Sequence, residues 1–196
     1  MLARQKKLRA VFCIYKERAH MNYAVIKPHD VANGPGVRVS LFVSGCRHRC
    51  ENCFNQEAWD FNYGEAFKTA HIDQIIKYLN PSHIKGLTLL GGEPFEYTNQ
   101  QGLLPLLREV KRVYPEKSIW CFSGYDFDKD IMGTMYDQWE ETREILSYID
   151  VLVDGKFVEA LKNLSLRFKG SSNQRTIDVP KSLARKEIII LEGYEE

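Results

Sequence analysis

At 196 residues, with 44% apolar and 27% charged side chains, the chain has the size and composition of one ordinary globular domain, which excludes a disordered polymer and a large multidomain machine. A domain of this length buries about 70% of its unfolded surface and needs no disulfides to fold. The 27 Lys and Arg against 26 Asp and Glu leave a formal charge of +1, so no global basic field exists for nucleic acid or an acidic membrane, and any activity must come from a local site.

Residues 1–20 stand apart from the rest of the chain. Arg4, Lys6, Lys7, Arg9, Lys16 and Arg18 face only Glu17, a local charge of +5 that leaves −4 on residues 21–196. The best apolar stretch here, Ala10–Tyr15, is too short for the ~7–15-residue core of a secretory signal, and it contains Cys13. No run in the chain approaches the ~18 apolar residues of a membrane span. Met21 directly follows as a plausible internal start, so 1–20 read as a dispensable basic extension ahead of a domain spanning 21–196.

Extended and helical patterns then alternate, the mark of an α/β architecture. Val37–Ser44 (VRVSLFVS) is apolar and β-branched enough for a buried strand. Ile72–Leu79 has helical spacing through Ile72, Ile75, Ile76 and Leu79 and is stopped by Pro81. Gly86–Leu90 (GLTLL) reads as a second strand, Leu103–Tyr114 as a helix with Leu103, Leu106, Leu107 and Val110 on one face, and Ser118–Phe122 (SIWCF) as a third strand. Gln138–Tyr148 gives the next helix, leading into Val151–Val153, and Glu187–Leu191 (EIIIL) an edge or closing strand. Residues 155–185 carry no clear period. In such sheets the loops at the C-terminal ends of parallel strands carry the chemistry.

Three of the five cysteines fall together in SGCRHRCENCFN, directly after the first of these strands, as Cys46, Cys50 and Cys53 in the spacing C-x3-C-x2-C. Cysteines this close curl around one metal centre, whereas a disulfide among them leaves an odd thiol. Spacing alone leaves three readings open: an iron–sulfur cluster with one iron free for an external ligand, a zinc site, or unligated thiols. Zinc needs a fourth ligand, for which the candidates are His48 and Cys121. Cys121, inside an apolar strand, reads more simply as a small core residue, and His48 as an exposed loop histidine.

Gly91, Gly92, Glu93 and Pro94 follow the strand GLTLL. Taken alone, such a run is a turn. At the end of the next strand after a three-cysteine loop, the glycines permit close backbone approach to a ligand, and the Glu93 carboxylate suits a charged amino group.

With these residues the chain resembles the radical S-adenosylmethionine enzymes, and among them the small activases of glycyl-radical enzymes. The resemblance runs from about Met21 to Glu192 through NGPGVR (33–38), Phe42–Cys53, CFN (53–55), LLGGEP (89–94), SGY (123–125), DVLVDGKF (150–157) and GSSNQR (170–175). The last two segments point to activases that serve the anaerobic ribonucleoside-triphosphate reductase. One departure is Asn52, where many such enzymes carry an aromatic residue; Phe54 is the alternative aromatic surface.

The resemblance implies an oxidoreductase of α/β fold, a partial (β/α) barrel of the radical SAM type whose open side admits a partner's glycine loop. A full barrel needs about 250 residues, more than this chain has. It further implies that Cys46, Cys50 and Cys53 hold a [4Fe-4S] cluster, that Gly91, Gly92 and Glu93 orient the methionyl amino group of S-adenosylmethionine, and that Asn52, Cys53 and Phe54 line that cofactor. Reductive cleavage then yields methionine and a 5′-deoxyadenosyl radical, which removes a hydrogen from a glycine of the reductase. The implied partners are the reductase's glycyl-radical subunit and an electron donor such as flavodoxin, in an oxygen-poor cytoplasm. Other readings are a different glycyl-radical partner, such as one of the formate-lyase type, or a non-catalytic zinc-binding module. Arg38 and Arg175 are read either as partners of the cofactor carboxylate or as holders of a carboxylate of the fold, and Asp154 and Lys156 as cofactor or glycine-loop contacts or a structural ion pair. Ser171, Ser172 and Asn173 have the composition of a turn. Deleting residues 1–20 is expected to leave 5′-deoxyadenosine formation unchanged, and loss of that activity would show that the basic segment works.

Overall fold

The computed structural model describes residues 21–195, so the basic extension expected at 1–20, with Cys13, lies outside the described residues. In chain order the elements are β1 (Asn22–Asp30), β2 (Val37–Val43), β3 (Glu65–Ala66), α1 (Thr69–Leu79), β4 (Ile84–Gly91), α2 (Tyr97–Val113), β5 (Ser118–Phe122), α3 (Glu140–Tyr148), β6 (Val151–Asp154), β7 (Arg175–Asp178) and α4 (Val179–Arg185). A π-helical segment, Phe127–Met135, followed by one α-helical turn, leads from β5 toward α3.

The seven strands form one sheet in the order β3-β1-β2-β4-β5-β6-β7. Strands β2, β4, β5 and β6 are parallel, and β1, β3 and β7 are added antiparallel at the two sides. The expectation of parallel strands holds for the centre of the sheet. The antiparallel strands are short or irregular and carry weak periodicity: β1 contains Pro28 within a break in its register with β2, a place where a missing N–H costs no ladder bond.

Alternation along the buried strands builds the core. Val39, Leu41 and Val43 of β2, Leu87 and Leu89 of β4, and Ile119 of β5 join one cluster with Leu103, Leu106, Leu107 and Val110 of α2 and Ile145 and Leu146 of α3. Helix α2 starts six residues earlier than its apolar period indicates, because its first turns bury the polar side chains of Asn99 and Gln100. The run EIIIL makes no full strand. It lies against the open edge of β7 through a single bridge, Ile177 to Ile190, and β7 itself is the terminal strand, since the four residues RTID pair with β6.

Arg38 explains the segment NGPGVR. Its side chain is 1% exposed near the start of β2, at the end of the strand remote from the cysteine loop. The guanidinium donates to Thr88 Oγ1 (2.7 Å), Ser118 Oγ (3.0 Å), and the carbonyls of Leu87 and Ser118 (2.8 Å each), and so ties β2 to β4 and β5. Burial lowers its pKa to about 10. Gly34, at φ +120°, makes room for it: a Cβ there would meet Arg38 Cδ at 2.8 Å. The partners of Arg38 are carbonyl and hydroxyl oxygens, so it holds no carboxylate of the fold. Arg38→Ala is expected to cost about 2–4 kcal/mol in urea unfolding, through the cavity and the orphaned acceptors. A near-neutral change would refute this bracing role.

Candidate metal centre and cofactor site

Four loops leave the C-terminal ends of the parallel strands: the cysteine loop after β2, GGEP after β4, SGY after β5 and DGKF after β6. One carboxylate joins the first three. Glu93 is 1% exposed; its Oε1 accepts from the Phe95 amide (2.8 Å) and the Ser123 hydroxyl (2.9 Å), and its Oε2 accepts from the Gly124 amide (2.7 Å) and lies 3.0 Å from His48 Nε2. A carboxylate offers about four lone-pair positions, and these four partners fill them. In the chain by itself these bonds make Glu93 the carboxylate that ties the three loops together.

His48 is correspondingly no exposed loop histidine. Its side chain is only 6% exposed, pinned between Glu93 and the Tyr125 ring, whose centroid lies 4.3 Å away. A polar side chain with two aromatic nitrogens is buried because Glu93 supplies the partner. Asn99 of α2 completes the junction by donating to the carbonyls of Ser44 and Glu93, each at 2.9 Å.

The glycine pair has a packing reason. The amides of Gly92 and Glu93 donate to the carbonyls of Val43 (2.7 Å) and Gly45 (2.9 Å), which lays the GGEP loop on the root of the cysteine loop. A Cβ on Gly92 would come within 2.6 Å of the Gly45 carbonyl oxygen, so backbone approach this close needs glycine.

Cys46, Cys50 and Cys53 are free, partly exposed thiols. The loop that carries them curls through positive φ at Gly45, Arg49 and Asn52. The Asn55 amide donates to Cys53 Sγ at 3.5 Å, and nearby backbone N–H groups, those of His48 and Arg49 for Cys46 and that of Phe157 for Cys50, favour the thiolates. Burial, reinforced by the charge of Glu93, pushes the Cys46 thiol up to about 12, and burial also raises Cys50. A metal cation reverses this, since coordination deprotonates a thiol outright, and amide donors then stabilise the thiolate.

Among the described residues, no three Cys, His, Asp or Glu side chains converge to hold a single metal ion. A [4Fe-4S] cluster takes each thiolate on a different iron and asks for no such convergence. The fourth zinc ligands considered from sequence are both engaged elsewhere: His48 Nε2 faces Glu93, and Cys121 is fully buried in β5. The amide-lined thiols fit a three-cysteine cluster.

The remaining residues read from sequence divide. Asn52 and Phe54 are both exposed beside Cys53, Phe54 to 85%. Asp154, fully buried, is a structural ion-pair partner: Arg175 grips both its oxygens, also reaches Asp128 at 2.7 Å, and the Phe127 amide adds a bond of 2.7 Å. Arg175 thus holds carboxylates of the fold. Lys156 is exposed, and its charge favours the thiolate of Cys50. On the other flank, a cleft of about 720 Å³ opens beside Cys46, lined by Arg47, Arg49, Trp59 and Phe61.

Comparison with known proteins agrees with this geometry. Residues 32–177 match the family described as a 4Fe-4S single cluster domain. The chain is 44% identical over 156 residues to the anaerobic ribonucleoside-triphosphate reductase-activating protein of Haemophilus influenzae, 43% to that of Escherichia coli and 41% to that of Vibrio cholerae. Each alignment covers 79% of this chain and 96% of the relative. The chain belongs to this family of reductase-activating proteins.

From the sequence, His48 stands only as a zinc-ligand candidate or an exposed loop residue and SGY (123–125) only as a segment without a role, while Asn99 belongs to none of the motifs. Polar Asn99 and Gln100 at the start of an apolar helix were the one readable signal, because buried amides need partners. Glu93→Gln replaces one acceptor oxygen with a donor facing other donors. Hydrogen exchange at the Phe95 and Gly124 amides is expected to quicken at least about tenfold, and unchanged protection would contradict the carboxylate's role as the junction.

Proposed function

We propose that this chain activates the anaerobic ribonucleoside-triphosphate reductase by generating a glycyl radical on it. The observation that carries the reading is the set of three free cysteines on the loop after β2, at the rim of a parallel sheet, whose root is bonded to the GGE loop. Kinship with reductase-activating proteins supports the choice of partner.

In this reading Cys46, Cys50 and Cys53 hold the cluster, and the protein leaves its fourth position to the cofactor. Bound there, a [4Fe-4S] cluster and S-adenosylmethionine supply one-electron cleavage chemistry that yields methionine and a 5′-deoxyadenosyl radical able to take a hydrogen from glycine. The backbone of Gly91 and Gly92 and the carboxylate of Glu93 orient the methionyl amino group, and the bonds from Phe95, Ser123 and Gly124 hold that carboxylate in place. Asn52, Cys53 and Phe54 line the cofactor from the cysteine loop. The exposed Phe54 covers apolar cofactor surface once it is bound. The protein's main contribution is proximity: a radical this reactive must form beside its target and away from water.

The sheet, curved as a partial (β/α) barrel, admits the glycine loop of the reductase at the same rim. The electron comes from a small donor such as flavodoxin, and the setting is an oxygen-poor cytoplasm. Among the described residues no helix is long and apolar enough to cross a membrane.

The test is anaerobic reconstitution with iron and sulfide, reduction, and incubation with S-adenosylmethionine and the purified reductase. The expected outcome is a glycine-centred doublet in the electron paramagnetic resonance spectrum of the reductase, together with 5′-deoxyadenosine, both abolished by Cys50→Ala. Radical formation on a formate-lyase-type partner but not on the reductase would reassign the partner. A colourless protein holding zinc, with no cleavage, would overturn the reading altogether.

A further inference from the structure

Between β6 and β7 the chain makes an excursion, residues 155–174, that the proposed function does not use. Because β7 runs antiparallel to β6 and Arg175 pairs with Asp154, the excursion leaves and rejoins the sheet at the C-terminal end of β6. The cysteine, GGEP and SGY loops leave from the same rim. The excursion is held in shape by its own bonds. At its root the buried Ser171 hydroxyl accepts from the Val158 amide at 3.2 Å, Asn173 donates to the Lys156 carbonyl at 2.8 Å, and Gln174 to the Gly155 carbonyl at 2.9 Å. Further out, the Asn163 amide donates to the Gly170 carbonyl (3.3 Å) and the Ser172 amide to that of Leu161 (2.9 Å). At the tip, Asn163 Oδ1 accepts from the Ser165 amide at 2.9 Å. One side is pinned to the sheet: the Phe168 ring stands edge-on to Trp120, 5.7 Å between centroids, and the Arg167 guanidinium lies 4.7 Å over the ring of Tyr194.

This ordered loop holds apolar side chains in water. Val158, Leu161 and Leu164 are three of the eight exposed large hydrophobic residues among the described ones, and Leu164, at the tip, is 92% exposed. Single exposed apolar residues are ordinary, but a cluster on one bonded loop marks an interaction surface. Cations bracket the cluster. Lys156, Lys162, Arg167 and Lys169 stand against Glu159 alone, a local charge of +3 on a domain, residues 21–196, that carries −4. The loop is therefore the place on this rim to which an acidic partner is steered. Its internal bonds also remove most of the ordering cost that a flexible loop would bear on association.

We propose that Leu161 and Leu164, with Lys156, Lys162 and Lys169 around them, form the surface on which the reductase docks, and that the reductase meets it with an acidic face carrying an apolar pocket. The inference rests on the proposed function, which makes the reductase the partner. An activating protein has to bring one glycine of that partner to the rim that holds the cysteines, so the partner's surface meets whatever else stands on this rim. The bonded loop stands there, with its apolar tip outward and its cations beside the tip. Leu164 enters the pocket and gives up its exposed surface, while the lysines fix approach and orientation from the edge of the contact.

The experiment is anaerobic titration of the reconstituted full chain with the purified reductase, at low and high salt, for the wild type, Leu164→Ala and Lys169→Glu, with the urea midpoint of each chain and the glycyl radical yield of the wild type measured alongside. Leu164 is exposed, so its truncation leaves the core intact. Leu164→Ala is expected to raise the dissociation constant at least about fivefold at an unchanged urea midpoint. Lys169→Glu is expected to slow association and to flatten its dependence on salt. Wild-type affinity in both variants, with the radical still formed by the wild type, overturns this inference and leaves the proposed function standing. Wild-type affinity for the reductase joined to slower reduction of the cluster by flavodoxin overturns it too, and gives the surface to the electron donor. A wild type that neither binds the reductase nor raises a radical on it overturns both.

Discussion

A buried carboxylate with four protein partners is the constraint on which the site depends. Removing Glu93 from water costs several kcal/mol unless its oxygens are bonded, and the bonds come from separate loops: Phe95 from its own, Ser123 and Gly124 from the loop after β5, and His48 from between the cysteines. No one of these loops can settle without the others. The glycine pair before Glu93 allows the GGEP backbone to rest on Gly45, and the cysteine loop inherits its root from that contact.

Charged side chains serve the architecture, and backbone amides serve the sulfurs. Arg38 spends its guanidinium on β4 and β5, and Arg175 commits its own to Asp154 and Asp128. The Asn55 amide donates to Cys53, and backbone N–H groups of His48, Arg49 and Phe157 favour the thiolates of Cys46 and Cys50. Amides stabilise negative charge on sulfur without bringing a counter-ion that would compete with iron, and they stay fixed as the charge changes. Beside them Lys156 is left exposed, apart from the ion pairs that hold the interior.

The parallel centre of the sheet was legible because largely buried strands such as VRVSLFV and SIWCF are rich in apolar and β-branched residues, and Ser118–Phe122 was bounded to the residue. The antiparallel additions were not, since β3 and β7 have two and four residues, and β1 carries a proline. The EIIIL run misled for the opposite reason: apolar content reports burial, and here a single bridge to β7 accompanies it. In the site, the cysteine spacing and the GGEP turn stood out as local patterns. His48, Asn99 and Ser123 did not, because their partners lie 30 or more residues away or belong to a carbonyl that no local pattern marks. GSSNQR showed its turn composition, but its hold on 155–158 is a tertiary fact.

The proposed function stands on Cys46, Cys50 and Cys53 holding a cluster with one iron open to the cofactor. Electron–nuclear double resonance on the reduced, reconstituted chain, with S-adenosylmethionine labelled at the methionyl amino nitrogen and carboxylate, tests it most directly. Hyperfine coupling is expected from both labels, absent in Cys50→Ala. A wild-type cluster that shows neither coupling with the cofactor bound would mean that the fourth position is closed, and the reading of the site would fall.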